Sequence, residues 1–348
     1  MYLMRGLAHV PPELRRCAVT IGNFDGVHLG HRDLMDRLRE VAGQLSLPAV
    51  AITFEPHPRC LLTPDSPPAR IMPMRARIRW MEQAQLDAML LVPFTPAMAA
   101  TSPEDFVRRC LVSGQGEDGP AGGLLVRHVV VGHGFRFGAR GLGSLATLQQ
   151  MGAQYRFSAE ERPLVMIDGA AVSSTRIREQ VAAGRLDEAE RLLGHPFEIE
   201  GRVRRGQQRG RLLGFPTANL ALTYRSALAP EAAEPGACVP DMLHPPTGVY
   251  VVEGSPGTGP DGREVWWPGV ANIGRNPTFG GESLHLEVHF FEPCGDIYRR
   301  WLRVRFRQRL RGEVRFASRE QLQQQIAADL QAARNYFSRT GRVPAEYA

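Results

Sequence analysis

Short apolar runs alternate with amphipathic stretches through the first half of the chain. AVTIG (Ala18 to Gly22), PAVAITF (Pro48 to Phe54), AMLLVPF (Ala88 to Phe94) and LLVRHVVVG (Leu124 to Gly132) have the continuous apolar character of strands covered on both faces. Between the first two, Leu34, Leu38, Val41 and Leu45 recur at helical spacing, and SPEDFVRRCL opens on a serine, Ser102, suited to cap a helix. Repetition of strand, helix and strand predicts a doubly wound α/β domain on a parallel sheet. Its ligands belong beyond the carboxyl ends of the strands.

The pattern changes past Val172. SSTRIREQVAAGRLDEAERLLG has helical periodicity, and from HPFEIEGRVRRG onward a period of two takes over. FEIEGRV, GVYVVEG, EVWWPGVANI, LHLEVHFF and WLRVRFRQRL predict strands; in the last, Leu302, Val304 and Phe306 alternate with Arg303, Arg305 and Arg307. Many strands with few helices predict a small β-barrel. A terminal helix follows, with Leu322, Ile326, Leu330, Ala333 and Phe337 on one stripe and Ser318 to Gln321 as a capping box. At about 150 residues per domain, a chain of 348 residues makes two domains, and the change of period places their boundary near residue 185. The expected modules are residues 1–185 and 186–348. Ser113 to Gly123, Ser226 to Pro246 and Ser255 to Gly262 have the composition of exposed loops.

With 43% hydrophobic and 22% charged residues and no apolar run near the roughly 18 needed to span a bilayer, the chain reads as globular and soluble. The first residues carry no secretory pattern, so the expected location is cytoplasmic. The five cysteines are scattered, odd in number and without a CxxC pair, which argues against a zinc site or a disulfide framework. Composition constrains the chemistry in one respect. The chain contains no lysine, so its net charge of +6 rests on arginine, and phosphate must be handled by arginine, histidine, backbone N–H groups or metal.

Five segments could carry chemistry. In GNFDGVHLGH (Gly22 to His31), between a strand and a helix, His28 and His31 lie about one turn apart and can face one point at the positive end of the helix. Gly22 and Gly26 allow a tight turn and Gly30 a close ligand, which favours phosphate over a metal that would lack a third ligand. AVSSTRIR (Ala171 to Arg178) offers Ser173, Ser174, Thr175, Arg176 and Arg178 at a helix start, again suited to phosphate, whereas simple capping needs one serine. VVVGHGFRFGARGLG is either a ligand loop or an ordinary glycine-rich turn. In GRVRRGQQRGRLLGFPTANL, Thr217 and Asn219 are two apart, so their oxygens can ligate a hard cation or make local turn bonds. In LHLEVHFF, Glu287 shares a strand face with His285 and His289, as a general base or as part of a solvated face.

Taken in order, these segments resemble the bacterial bifunctional riboflavin kinase/FAD synthetase family over almost the whole length. GNFDGVHLGH is similar to the HxGH signature of its nucleotidyltransferase module, and AVSSTRIR to its SSTxxR segment. RGRLLGFPTANL, GVYVV, GVANIGRNPTF and LEVHFFEPCGDIYRRWLRV resemble its flavokinase module. The resemblance implies two reactions that need Mg2+ and ATP: riboflavin to FMN in the C-terminal module, then FMN to FAD with release of pyrophosphate in the N-terminal one. It implies riboflavin, FMN, FAD and ATP as partners, with neither nucleic acid nor membrane. Carried over by position, Thr217 and Asn219 would hold Mg2+ and ATP phosphates, with Gly210 and Arg211 beside the nucleotide. Glu287 would be the general base. In the other module Gly22, Asn23, Phe24, Asp25 and Gly30 would line the nucleotide, and His28, His31, Ser174, Thr175 and Arg178 would offset phosphate charge. The family usually has Asp or Asn before Phe in VGxDFxFG; this chain has Gly134 there. An alternative is therefore a riboflavin kinase whose impaired N-terminal module only binds nucleotide. The arginine excess raises a nucleic-acid binder as a reading of another class, and a flavin-binding regulator without turnover is a third.

Overall fold

The computed structural model describes residues 1–8, 10–112, 123–204, 217–221, 241–258, 264–278, 281–292 and 295–341. The chain passes from one compact unit to a second between Ser174 and Thr175.

In the first unit, β1 (Tyr2–Arg5), β2 (Ala18–Ile21), β3 (Ala49–Glu55), β4 (Ala88–Pro93), β5 (His128–Gly132) and β6 (Ser158–Arg162) form one sheet in the order β1-β4-β3-β2-β5-β6. Every pairing is parallel. The order turns back at β2, whose neighbours are β3 and β5, so the carboxyl end of β2 opens on the crevice where such sheets take ligands. The helices are α1 (Leu29–Leu45), α2 (Pro58–Leu62), α3 (Met74–Gln83), α4 (Pro96–Ala99), α5 (Pro103–Phe106) and α6 (Leu145–Tyr155). Alternate strand residues feed two cores: Val19, Ile21, Val50, Ile52 and Val129 pack with Phe106 and Leu148, while Ala18, Ala51, Met89 and Val130 pack with Leu34, Met35 and Leu38 of α1 and Met81 of α3. That alternation is why these strands read as unbroken apolar runs. Ser102 caps α5, accepting the Asp105 N–H at 3.0 Å. Leu45 departs from its expected stripe: at the last residue of α1 it is 51% exposed. Burial pushes the Cys17 and Cys110 thiols up to about 12, which leaves them inert.

A short antiparallel ribbon, β7 (Met166–Ile167) and β8 (Ala170–Ala171), precedes α7 (Ser174–Ala182) and α8 (Leu186–Leu193). The helical stretch expected here is thus divided. Gly184, at φ 74°, turns the chain between the two helices, and Gly194, at φ 73°, ends α8.

The second unit is a closed antiparallel barrel of β9 (Phe197–Arg204), β10 (Ala218–Ala221), β11 (Gly248–Ser255), β12 (Trp267–Thr278), β13 (Gly281–Phe290) and β14 (Trp301–Arg311), ordered β10-β13-β12-β11-β14-β9. Phe197, Tyr250 and Phe306 meet in its core, the last two rings edge to face at 5.5 Å. α9 (Arg319–Thr340) lays Ala333, Tyr336 and Phe337 on Val249, Val251 and Val270 of the outer wall. Its cap is a displaced box: Ser318 accepts the Gln321 N–H at 3.3 Å, while the Gln321 side chain takes the N–H of Ala317, not of Ser318. The alternating arginines of β14 have partners within the unit. Arg303 pairs with Glu264, Arg305 with Glu198, Arg307 with Glu253 and Glu190, and Arg311 with Asp329. These arginines are thus matched by acidic side chains of the same unit, while most of the arginine-rich run GRVRRGQQRGR lies outside the described residues. Most of the expected loops, Ser113 to Gly123, Ser226 to Pro246 and the end of Ser255 to Gly262, lie outside the described residues. Among the described residues no helix is long and apolar enough to cross a membrane.

Candidate active sites

The GNFDGVHLGH segment leaves β2 at Ile21 and enters α1 at Leu29. Gly22 donates its N–H to the Ile52 carbonyl at 3.0 Å, and a Cβ there would stand 3.0 Å from the Phe24 ring. Glycine thereby lets Phe24 fold back beneath the turn and bury. Asn23 lies between them, its carbonyl accepting from Thr53 Oγ1 at 3.3 Å. The buried Asp25 carboxylate accepts the Ile71 N–H at 3.1 Å and the Met72 N–H at 3.3 Å, which anchors the middle of the loop.

His28 is the N-cap of α1, with Nδ1 accepting the His31 N–H at 3.3 Å. This bond leaves the proton of the neutral ring on Nε2. The His28 and His31 rings stack with centroids 3.6 Å apart and planes 16° apart, and Phe24 meets His31 edge-on at 5.3 Å. A Cβ on Gly30 would lie 3.3 Å from the His28 ring, so glycine gives the stack its room. Burial first, then electrostatic competition with the adjacent His28 imidazole, hold His31 well below its ordinary 6.5, so it is neutral at pH 7. Its Nδ1 is buried without a hydrogen-bond partner. The first turn of α1 holds no acidic residue, so no carboxylate there offsets the positive end of the helix dipole, which favours an anion. Ser174 Oγ, at the start of α7, donates to the Asp25 carbonyl at 2.9 Å; Thr175 and Arg178 follow on the same helix.

The depressed His31 carries a stability consequence. Once unfolded, that histidine binds a proton near its ordinary 6.5, which the folded state resists. The stabilising contribution is therefore complete above 6.5 and is lost as the pH falls toward the lower folded value. Thermal unfolding of His31→Asn and the parent should show a smaller pH dependence in the variant below that point; parallel curves would contradict the burial of a neutral ring.

VVVGHGFRFGARGLG leaves the carboxyl end of β5 at Gly132. Glu161 receives the Gly134 N–H and the His133 Nδ1 contact, each at 2.9 Å, and these hold its carboxyl below the usual range. Gly134 has φ 69° with open space where a Cβ would go. That left-handed conformation is one that Asp and Asn tolerate, which explains physically how the usual family residue and glycine share the position. Gly134→Asp is expected to leave FAD formation within about threefold of the parent, the effect of a tolerated exposed change. A large gain in a timed FAD assay would instead expose an impaired parent.

In the barrel, antiparallel pairing puts Asn219 of β10 and Asn272 of β12 opposite Glu287 of β13, one on each side. Opposed Cβ atoms in such a row are about 4.5–5.5 Å apart. Leu286 and Val288 point the other way and are wholly buried, so Glu287 stands on the outer wall with its side chain 36% exposed. His285 Nε2 lies 3.9 Å from Glu287 Oε1. The Asn219 amide is 3.4 Å from Thr217 Oγ1, so the two polar groups converge. A Cβ on Gly274 would fall 2.9 Å from Glu313 Oε1 and 3.2 Å from the Asn272 amide; glycine lets Glu313 reach the end of the row. Gly210 and Arg211 lie outside the described residues. Among the described residues no three His, Cys, Asp or Glu side chains are grouped to hold a metal.

The FAD synthetase family profile matches residues 10–176, and the riboflavin kinase profile residues 193–337. The bifunctional riboflavin kinase/FMN adenylyltransferase of Pseudomonas fluorescens is 43% identical over 335 residues, which cover 96% of this chain and 97% of that one. This chain belongs to the bifunctional riboflavin kinase/FMN adenylyltransferase family. Its relative of the same description in Escherichia coli K12 is 38% identical, covering 98% of this chain and 99% of the other. A solved structure described as a macrolide-efflux protein from Streptococcus pneumoniae superposes with a TM-score of 0.76 at 26% identity, over 96% of this chain and 99% of that one.

For a riboflavin kinase/FMN adenylyltransferase, two members of the barrel row, Asn219 and Glu287, are named from sequence and the third, Asn272, is missed. Asn272 was visible only as part of a strand. Its place beside Glu287 depends on the register between β12 and β13, which no spacing within either segment encodes. Alternation does place it on the same strand face as Val270, two residues earlier, and that was the available signal.

Proposed function

We propose that the barrel unit transfers the γ-phosphoryl of ATP to riboflavin, giving FMN and ADP, and that the β2–α1 loop then joins FMN to the adenylyl group of a second ATP, giving FAD and pyrophosphate. The observation that carries this reading is that both motif sets fold into separate polar sites of one chain, the stacked His28–His31 pair at a helix N-terminus and the Asn219–Glu287–Asn272 row. At the row, Glu287 takes the proton of the ribityl 5′-hydroxyl as its oxygen attacks the γ-phosphorus. Asn219 and Asn272 flank the carboxylate and orient the hydroxyl.

At the loop, an oxygen of the FMN phosphate attacks the α-phosphorus of ATP and pyrophosphate departs. The nucleophile is already ionised, so no base is needed. His28 Nε2–H, the first-turn N–H groups of α1 and Ser174 oppose the growing phosphate charge, with Gly22, Asn23, Phe24, Asp25 and Gly30 forming the bed. His31 acts as a neutral ring. Histidine and backbone N–H thus do without lysine.

The donors at Thr217 and Asn219 fit Mg2+. Asn219 Nδ2 lies 3.4 Å from Thr217 Oγ1, so with the carboxamide turned to present Oδ1 the pair supplies two hard oxygens of the kind Mg2+ takes alongside ATP phosphates. When bound there, Mg2+ offsets phosphate charge. We assign residues 1–185 to the adenylyltransferase and 186–348 to the kinase, with the helix break at Gly184 as the junction. The buried Cys17, Cys60 and Cys110 form no disulfide, which suits a reducing cytoplasm.

A chromatographic time course with riboflavin, ATP and Mg2+ tests the whole reading. FMN followed by FAD is expected. FMN without FAD would remove the N-terminal assignment, and no conversion would remove both.

A further inference from the structure

Two arginines lie inside the first unit, where charge is least expected. Arg70 and Arg77 are each 1% exposed, and both turn toward the carboxylate of Glu55 at the carboxyl end of β3: Arg70 Nη2 at 3.0 Å and Arg77 Nη2 at 3.6 Å from Oε2. Removing a guanidinium from water costs several kcal/mol even after relaxation, and one carboxylate balances only one of the two. Packing alone gives no reason for such an arrangement, since apolar side chains of similar volume would fill the space with less cost.

Their second contacts supply a reason. Arg77 Nη1 donates to Thr53 Oγ1 at 3.3 Å, and Thr53 Oγ1 donates to the Asn23 carbonyl at 3.3 Å. The residues following Arg70 donate their N–H groups to Asp25, Ile71 at 3.1 Å and Met72 at 3.3 Å. The nucleotide loop is therefore held at Asn23 and at Asp25, two residues apart, by groups that meet at Glu55. We infer that the buried Glu55–Arg70–Arg77 cluster, acting through Thr53, positions the Gly22–Asp25 loop for adenylyl transfer. Thr53 and Arg77 are positioning residues that touch no reacting atom. The inference rests on the adenylyltransferase reading of that loop.

Thr53 gives the cleanest test, because valine has the same shape and suits a strand equally well, while serine keeps the hydroxyl. The full-length protein is assayed with FMN and ATP for kcat and KM, and separately with riboflavin for phosphorylation. Thr53→Val should lower the kcat of FMN adenylylation about 10- to 100-fold, the scale of a misplacement near 1 Å, with KM for ATP within about threefold. Thr53→Ser should restore most of that loss, and both variants should phosphorylate riboflavin as the parent does. Combining Thr53→Val with Arg77→Met should add little to Arg77→Met alone, since both cut one path. An unchanged kcat in Thr53→Val, an equal loss in Thr53→Ser, or a parallel loss of riboflavin phosphorylation would overturn the inference. A parent that makes no FAD at all overturns the adenylyltransferase reading as well, so the two failures are distinct.

Discussion

Glu287→Ala is expected to lower riboflavin phosphorylation by about 10²- to 10⁴-fold, the contribution of a positioned general base, with FMN adenylylation from supplied FMN continuing at the parental rate. The side chain is 36% exposed on the outer wall of the barrel, and the neighbours that build the core, Leu286 and Val288, face away from it. Truncation therefore removes a functional group without opening a cavity. Glu287→Gln sharpens the measurement: it keeps shape and hydrogen bonding and loses only the ability to accept a proton. Equal losses in the two variants place the effect in proton transfer, whereas a nearly active Gln variant would make Glu287 an orienting group. Retention of full kinase activity by Glu287→Ala would end the assignment.

His28→Ala is expected to have the second largest effect, a fall in FMN adenylylation of about 10²- to 10³-fold, as when one preorganised donor to a developing charge is lost. Three contributions vanish together: the Nε2–H donor, the cap on the His31 N–H and the face on which His31 stacks. Loss of the cap alone costs about 1 kcal/mol of stability. His28→Asn separates these, since asparagine caps a helix well but supplies no imidazole. A shortfall in both variants with unfolding restored in His28→Asn would locate the effect in phosphate chemistry. Riboflavin phosphorylation should be untouched throughout; FAD formation undiminished in His28→Ala would refute the loop's role.

The strands buried on both faces and the barrel strands with alternating faces were legible because their apolar period is set by burial within the segment itself. The edge strands were not. β6 reads SAEER, a polar run with no apolar face; it is a strand through its pairing with β5, and its charged side chains meet α1, Arg37 donating to Glu160 at 2.7 Å and Arg162 to Asp33 at 2.8 Å. β1, only four residues long, is defined by its pairing with β4. The His28–His31 pair was legible from its spacing, although not that the rings would stack or that burial would keep His31 neutral. Glu287 was legible as a carboxylate among apolar neighbours, while Asn272 and the Thr53–Arg77 path arise only when strands distant in sequence come side by side.

The Asn219–Glu287–Asn272 row has a bearing on what kinds of change the chain can accumulate. Three residues on three strands make one site only because β13 is hydrogen-bonded on both sides in a fixed register. Loss or gain of a single residue just before Glu287 would turn every later side chain of β13 through the sheet, bringing the carboxylate into the apolar interior and Val288 out to solvent. Substitutions along this strand can be graded in their effects, but a one-residue length change cannot. Lineages of this enzyme should therefore keep Glu287 but vary in the identity of the other outward β13 residues and in the lengths of the connecting loops, while the count of residues between Leu284 and Phe290 stays constant.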